Sequence, residues 1–170
     1  MKKELSRRSF LKMGTTAAVG MAVSPSLLMG KSKKKNVAPA PLDRKLKILG
    51  VGIGGRGASV LRGLETEDII GLCDVDWKYA AHVFERYPNA KRYNDYRVMF
   101  KEMLDEADAV VVATADHTHA IIAAEAIAAG KHVYVEKPLT HTVYESRLLT
   151  KLAAKHKVAT QMGNQGASEE

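Results

Sequence analysis

A single cysteine, Cys73, in 170 residues excludes an internal disulfide framework, and no cysteine follows the N-terminal apolar stretch, which excludes a bacterial lipoprotein anchor. A solid apolar run is lacking too. The stretch Met13 to Met29 is broken by Gly14, Thr15, Thr16, Gly20, Ser24 and Pro25. It falls short of the roughly 20 consecutive apolar residues of a stable membrane span. Aromatic residues are only 6% of the chain, and Trp77, Tyr79, Tyr87, Tyr93 and Tyr96 have no spacing that builds a stacking platform, so packing is their expected role. Positive charge is scarce where it would matter for nucleic acid. The net charge is +7, yet residues 1–47 hold 12 basic and 2 acidic side chains, against 14 and 17 in residues 48–170. The remainder is slightly acidic, so no nucleic-acid partner is expected. His117 and His119 form an H-x-H with no acidic or cysteine partner at ligand spacing, so no metal is expected.

What is present at the front is an address. Residues 1–30 read as a charged n-region followed by an apolar h-region, and Ser6-Arg7-Arg8-Ser9-Phe10-Leu11-Lys12 resembles a twin-arginine translocation signal. That implies the twin-arginine export machinery as a partner and a periplasmic destination, with an uncleaved membrane anchor as the alternative. Residues 31–45 are charged and proline-bearing with little to pack, and are expected to form a disordered linker.

From Leu46 onward, short β-prone runs alternate with amphipathic stretches, the pattern of a parallel sheet covered by helices. Strands are expected at 47–51, 69–73, 91–93, 109–113, 132–135 and 158–162, and helices at 58–64, 77–87, 96–104, 118–129 and 143–155. The expected fold class is α/β, a Rossmann-type doubly wound parallel sheet over residues 46–166.

Gly52-Ile53-Gly54-Gly55-Arg56-Gly57 is a G-x-G-x-x-G between the first strand and the first helix. Its first glycine allows the tight turn, its second lets backbone approach a pyrophosphate, and its third lets helix and strand pack closely. The second strand ends at Cys73-Asp74, where an acidic side chain can accept hydrogen bonds from adenosine ribose hydroxyls. That carboxylate would repel a 2′-phosphate, and Val75 and Asp76 follow it rather than an arginine. NAD is therefore the expected cofactor, in preference to NADP.

Two further loops leave the carboxyl ends of strands: Ala113-Thr114-Ala115-Asp116-His117-Thr118-His119 and Glu136-Lys137-Pro138. The run Ala129-Gly130-Lys131-His132-Val133-Tyr134-Val135-Glu136-Lys137-Pro138 resembles the AGKHV-x-x-EKP signature of the glucose-fructose oxidoreductase, inositol dehydrogenase and rhizopine-catabolism (Gfo/Idh/MocA) family. Thr114 to His119 is similar to that family's T-P-N-x-x-H loop, with Ala115 and Asp116 departing from it, and Met162 to Gly166 is like its sixth-strand loop. The resemblance implies that Thr114, Asp116, His119 and Asn164 lie at the cofactor, Glu136 near the nicotinamide ribose, and Lys137 beside both the nicotinamide and the substrate hydroxyl. It also implies a cis peptide before Pro138. Lys137 is the expected catalytic residue, since a positioned cation stabilises the alkoxide that forms as hydride leaves.

The same resemblance implies a second, α+β domain that holds the substrate and carries the oligomer contacts. Residues 167–170 are expected to be only its start, so the fragment is expected to lack turnover on its own. The expected activity is NAD(P)-dependent oxidation of a sugar, sugar derivative or polyol hydroxyl, by an enzyme exported with its cofactor bound. Two alternatives stay open. One is an NAD-dependent glycosidase working by transient sugar oxidation, against which Lys137-Pro138 argues. The other is a non-catalytic NAD-binding module.

Overall fold

Strands rich in Val, Ile and Leu are stable where both of their faces can be buried, and the chain meets that demand with one sheet between two layers of helix. A computed structural model describes residues 43–167; the signal assigned to residues 1–30, residues 31–42 of the linker and the last three residues lie outside them. The strands are β1 (Lys47–Val51), β2 (Asp68–Cys73), β3 (Lys91–Tyr93), β4 (Ala109–Val112), β5 (His132–Glu136) and β6 (Thr160–Gly163). All pair in parallel, in the order β3-β2-β1-β4-β5-β6. The helices are α1 (Arg56–Arg62), α2 (Ala81–Arg86), α3 (Tyr96–Met103), α4 (His119–Ala128) and α5 (Val143–His156). The chain winds one way from β1 to β3 and the other from β4 to β6, so the loops after β1 and β4 diverge and leave a crevice at the carboxyl edge.

Side chains alternate between the two faces along each strand. Leu49, Val51, Val110, Val112, Val133 and Val135 pack with α3, α4 and α5, among Met99, Phe100, Ile122, Ile127 and Leu149. Ile48, Leu72 and Val111 face the other way, onto Leu61 of α1 and Val83 and Phe84 of α2. Cys73 belongs to the first cluster, and burial, helped by the Asp74 and Asp95 carboxylates, pushes its thiol up to about 12. The thiol form is therefore held at neutral pH, and Cys73 is a packing residue.

Three element starts differ from the sequence expectation by two residues or more. Helix α1 starts at Arg56, two residues early, because the glycine turn runs directly into it with Gly55 as its cap. Helix α2 starts at Ala81 rather than 77; residues 77–80 form turns, in which the Tyr79 amide donates to the Asp76 carboxylate at 2.9 Å and the Ala80 amide to the Asp76 carbonyl. Strand β6 starts at Thr160 rather than 158. Lys157 turns the chain at φ 56 after α5, and Val158 still donates back to the Ala153 carbonyl.

At the sheet's opposite, amino edge Arg44 clamps Asp108 with two hydrogen bonds of 2.6 and 2.7 Å, and the Lys47 amide adds a third at 2.8 Å. The Arg44 guanidinium, then that amide, holds the Asp108 carboxyl well below the usual aspartate range. A carboxyl with a depressed folded value contributes stability that is complete above its unfolded value of about 3.9 and fades as pH falls below it. Asp108→Asn is thus expected to lower the thermal midpoint at pH 7. The gap to the unmodified protein should narrow progressively below about pH 4 in a melting series; a gap independent of pH would mean that the charge is not its source.

Candidate functional site

The crevice predicted by the winding is real in the structure. A cavity of about 570 Å³ lies at the carboxyl edge between the loops after β1, β2 and β4, with Gly52, Gly55, Asp74, Val75, Thr114 and Thr118 among its walls. That size suits a small-molecule or cofactor site.

Gly52 turns the chain at φ 76, and a Cβ there would stand 2.7 Å from the Ala113 carbonyl group and the Thr114 Cα. A Cβ on Gly57 would run into the Gly52 carbonyl oxygen. The turn thus lies backbone against backbone with the loop after β4, and α1 with the turn. Gly55 caps α1 with no side-chain oxygen for the first-turn amides, which suits an incoming anionic oxygen. Ile53 is 1% exposed and packs into the α1–α2 layer, so what it can offer a cofactor is backbone.

Asp74, at the end of β2, accepts the Gly54 amide at 2.8 Å on one oxygen and the Asp76 amide at 3.0 Å on the other. These two bonds fix the carboxylate against the glycine turn and leave each oxygen a further lone pair for ribose hydroxyls.

The loops after β4 and β5 are joined through one side chain. His119 is 1% exposed, with Nδ1 2.7 Å from the Pro138 carbonyl oxygen and Nε2 3.0 Å from that of Thr114. Both partners are carbonyl oxygens, so the ring lies as a bracket between the two loops. His117, two residues earlier, is exposed, so the H-x-H pair does not converge. The Thr118 hydroxyl lies 2.7 Å from both the Thr114 hydroxyl and the Ala115 carbonyl oxygen, and Asp116 is exposed in the short 3-10 turn before α4.

Lys137 is exposed at the carboxyl end of β5 and joined to Pro138 by a cis peptide bond. Glu136 is buried at 4% exposure. Its Oε1 accepts from Gln165 Nε2 at 2.6 Å, from Arg56 Nε at 3.3 Å and from the Tyr134 hydroxyl at 3.4 Å, and its Oε2 from the Lys137 amide at 3.3 Å. Asn164 is exposed immediately after β6. The structure thus gathers the glycine turn, Glu136 and the β6 loop on one side of the edge, and the His119 bracket beside Lys137. The Arg56–Glu136 contact spans 80 residues, and Gln165 and Tyr134 complete it. Tyr134 and Gln165 both lie within the runs that carry the family resemblance, but no site role is expected of either from sequence.

Fit to a dinucleotide is shown by the cradle that a Cβ would fill at Gly52 and Gly57, with an acidic side chain fixed at the end of the neighbouring strand. Fold and site define a dinucleotide-binding domain of the Rossmann type. The chain belongs to the Gfo/Idh/MocA oxidoreductase family with NAD-binding Rossmann fold, which matches residues 45–164. It is similar to an alpha-N-acetylgalactosaminidase of Shewanella oneidensis, 28% identical over 163 residues that cover 83% of this chain and 35% of that protein. Among solved structures it is similar to GenD2 from gentamicin A biosynthesis in complex with NAD, with 31% identity, TM-score 0.63, and 73% of this chain and 36% of that one covered. It is also similar to the WlbA dehydrogenase of Chromobacterium violaceum in complex with NADH and UDP-GlcNAcA, with 27% identity, TM-score 0.62, and 75% and 37% covered. The chain spans about a third of the length of the curated relatives it matches.

Proposed function

We propose that this chain is the nucleotide-binding part of an NAD-dependent enzyme that oxidises a hydroxyl of a sugar, sugar derivative or polyol. The observation that carries the reading is the meeting of three groups at one sheet edge. These are the glycine turn with Asp74, the buried Glu136, and the Lys137 loop tied to Thr114 through His119. The nicotinamide ring, when bound, supplies the hydride acceptor. Asp74 selects the adenosine ribose, Glu136 holds Arg56 and Gln165 in place behind the edge, and Lys137 presents a cation to the hydroxyl oxygen from which a proton must leave. The relative solved with NADH and a nucleotide sugar supports a sugar-type substrate.

A second reading is favoured by the alpha-N-acetylgalactosaminidase relative: glycoside cleavage through transient oxidation, with no net redox change. Both readings place the same cofactor in the same site. The twin-arginine resemblance supports export with that cofactor already bound, because the route carries folded proteins.

The test is to purify the full-length protein from the periplasm, denature it and identify the released small molecules by mass and absorbance. Recovered NAD or NADH supports the reading; a protein that carries none and binds none on addition refutes it. Assays with a panel of free sugars and with chromogenic glycosides then separate the two chemistries, by NADH formation in one case and aglycone release without it in the other. Asp74→Ala is expected to weaken NAD binding about ten- to hundredfold in a calorimetric titration, the loss of a charge-assisted hydrogen-bond partner. Undiminished NAD affinity would remove Asp74 from that role.

A further inference from the structure

The stretch after β2 is built with more care than a surface loop needs. The Gly54 amide donates to one oxygen of Asp74, the Asp76 amide donates to the other, the Tyr79 amide donates to Asp76, and His82 Nδ1 lies 3.1 Å from the Tyr79 carbonyl oxygen. This ladder starts at the glycine turn and ends by fixing the backbone of Tyr79 on both sides. The side chain it positions is not in the core: Tyr79 is 61% exposed. Its ring returns to the place where the ladder began. A Cβ on Gly54 would stand 2.5 Å from Tyr79 Cδ1, and one on Gly55 would stand 3.3 Å from the phenol oxygen. The ring edge covers Gly54, and the hydroxyl reaches the residue that caps α1. Tyr79 is also part of the wall of the 570 Å³ cavity.

A tyrosine serves such a place well, with an apolar ring to lie on and a hydroxyl to donate. The anionic group nearest a glycine turn of this kind is a pyrophosphate. We propose that Tyr79 is a cofactor-binding residue whose hydroxyl donates to the pyrophosphate of the bound dinucleotide while its ring covers the glycine turn. The proposal rests on the NAD-binding reading above. It goes beyond the packing role expected of Tyr79; spacing along the sequence does not reveal such a contact, since the ring meets residues 25 positions upstream through a turn set by Asp74 and Asp76.

Isothermal titration of the full-length protein, stripped of endogenous nucleotide, with NAD and separately with ADP tests this. Tyr79→Phe keeps the ring and removes only the hydroxyl, so folding is not at stake. The expected result is a loss of about tenfold in affinity, equal for NAD and ADP, as for a hydrogen bond to a charged group. Tyr79→Ala is expected to lose more for both ligands, because the cover of the turn goes too. Unchanged affinity of Tyr79→Phe, or a loss with NAD that ADP does not share, overturns the pyrophosphate contact while leaving the NAD-binding reading intact. Absence of NAD binding by the unsubstituted protein overturns both.

Discussion

Gly52→Ala is expected to cost about 2–4 kcal/mol of stability and to reduce NAD affinity at least about a hundredfold. Two separate effects add. The first is conformational: Gly52 sits at φ 76, a region where a side chain costs about 1 kcal/mol or more. The second is steric, and it decides the outcome. The new methyl would stand 2.7 Å from the Ala113 carbonyl carbon and oxygen and from the Thr114 Cα, all backbone atoms that cannot rotate away. Relief requires either the glycine turn or the loop after β4 to retreat, and both are walls of the cavity. Gly130 separates the two effects. It has nearly the same conformation, φ 77, but a Cβ there would meet nothing within 4 Å. Gly130→Ala is expected to show only the conformational cost, with NAD affinity unchanged. Thermal melts and NAD titrations of the pair check this. Equal behaviour of the two variants would mean that the approach of Gly52 to the β4 loop is not what shapes the site.

The same contact explains why so much of the fold and part of the site were legible in the sequence. Strands β1 and β4 are buried on both faces, so they read as near-continuous apolar runs such as Ala109–Val112. A turn that brings backbone against backbone admits only glycine at Gly52 and Gly57, so steric necessity is written directly into residue type. Elements governed by one long-range or side-chain-to-backbone bond are different. Nothing in the run Trp77–Ala80 forbids helix, yet the structure holds it in turns before α2. The pairing of Arg56 with Glu136 joins two motifs that the sequence presents as independent, and only the sheet order, which seats β5 two strands from β1 with β4 between them, makes them neighbours. His119 shows the intermediate case. Its place in a family-like loop marks it as part of the site. Its work of holding the Thr114 and Pro138 carbonyls together depends on a ring buried between two loops, which no linear pattern records.

That bracket bears on the second large effect, at Lys137. The lysine is exposed at the end of β5, while the peptide that follows it is held by His119 through the Pro138 carbonyl and the peptide that precedes it carries the buried Glu136. The backbone on both sides is therefore pinned, and in the proposed function the ammonium is the part that meets the substrate. Truncation should leave the cavity walls in place, since Lys137 is not among them and its backbone amide still reaches Glu136. In the full-length enzyme, Lys137→Ala is expected to keep NAD affinity within about threefold and to depress turnover by about 10²–10⁴, the range for loss of a proton-transfer or charge-stabilising group. Lys137→Arg keeps the charge but not the compact ammonium or its capacity to pass a proton, and is expected to recover only a small part of the loss. Steady-state turnover measured beside NAD titrations distinguishes the outcomes. A loss in NAD affinity matching the loss in turnover would make Lys137 a cofactor anchor. Unchanged turnover would move the proton-transfer role to another residue. A drop in turnover alone is the signature of a group that acts on the hydroxyl while hydride departs, and it holds for net oxidation and for glycoside cleavage alike, since both begin with that step.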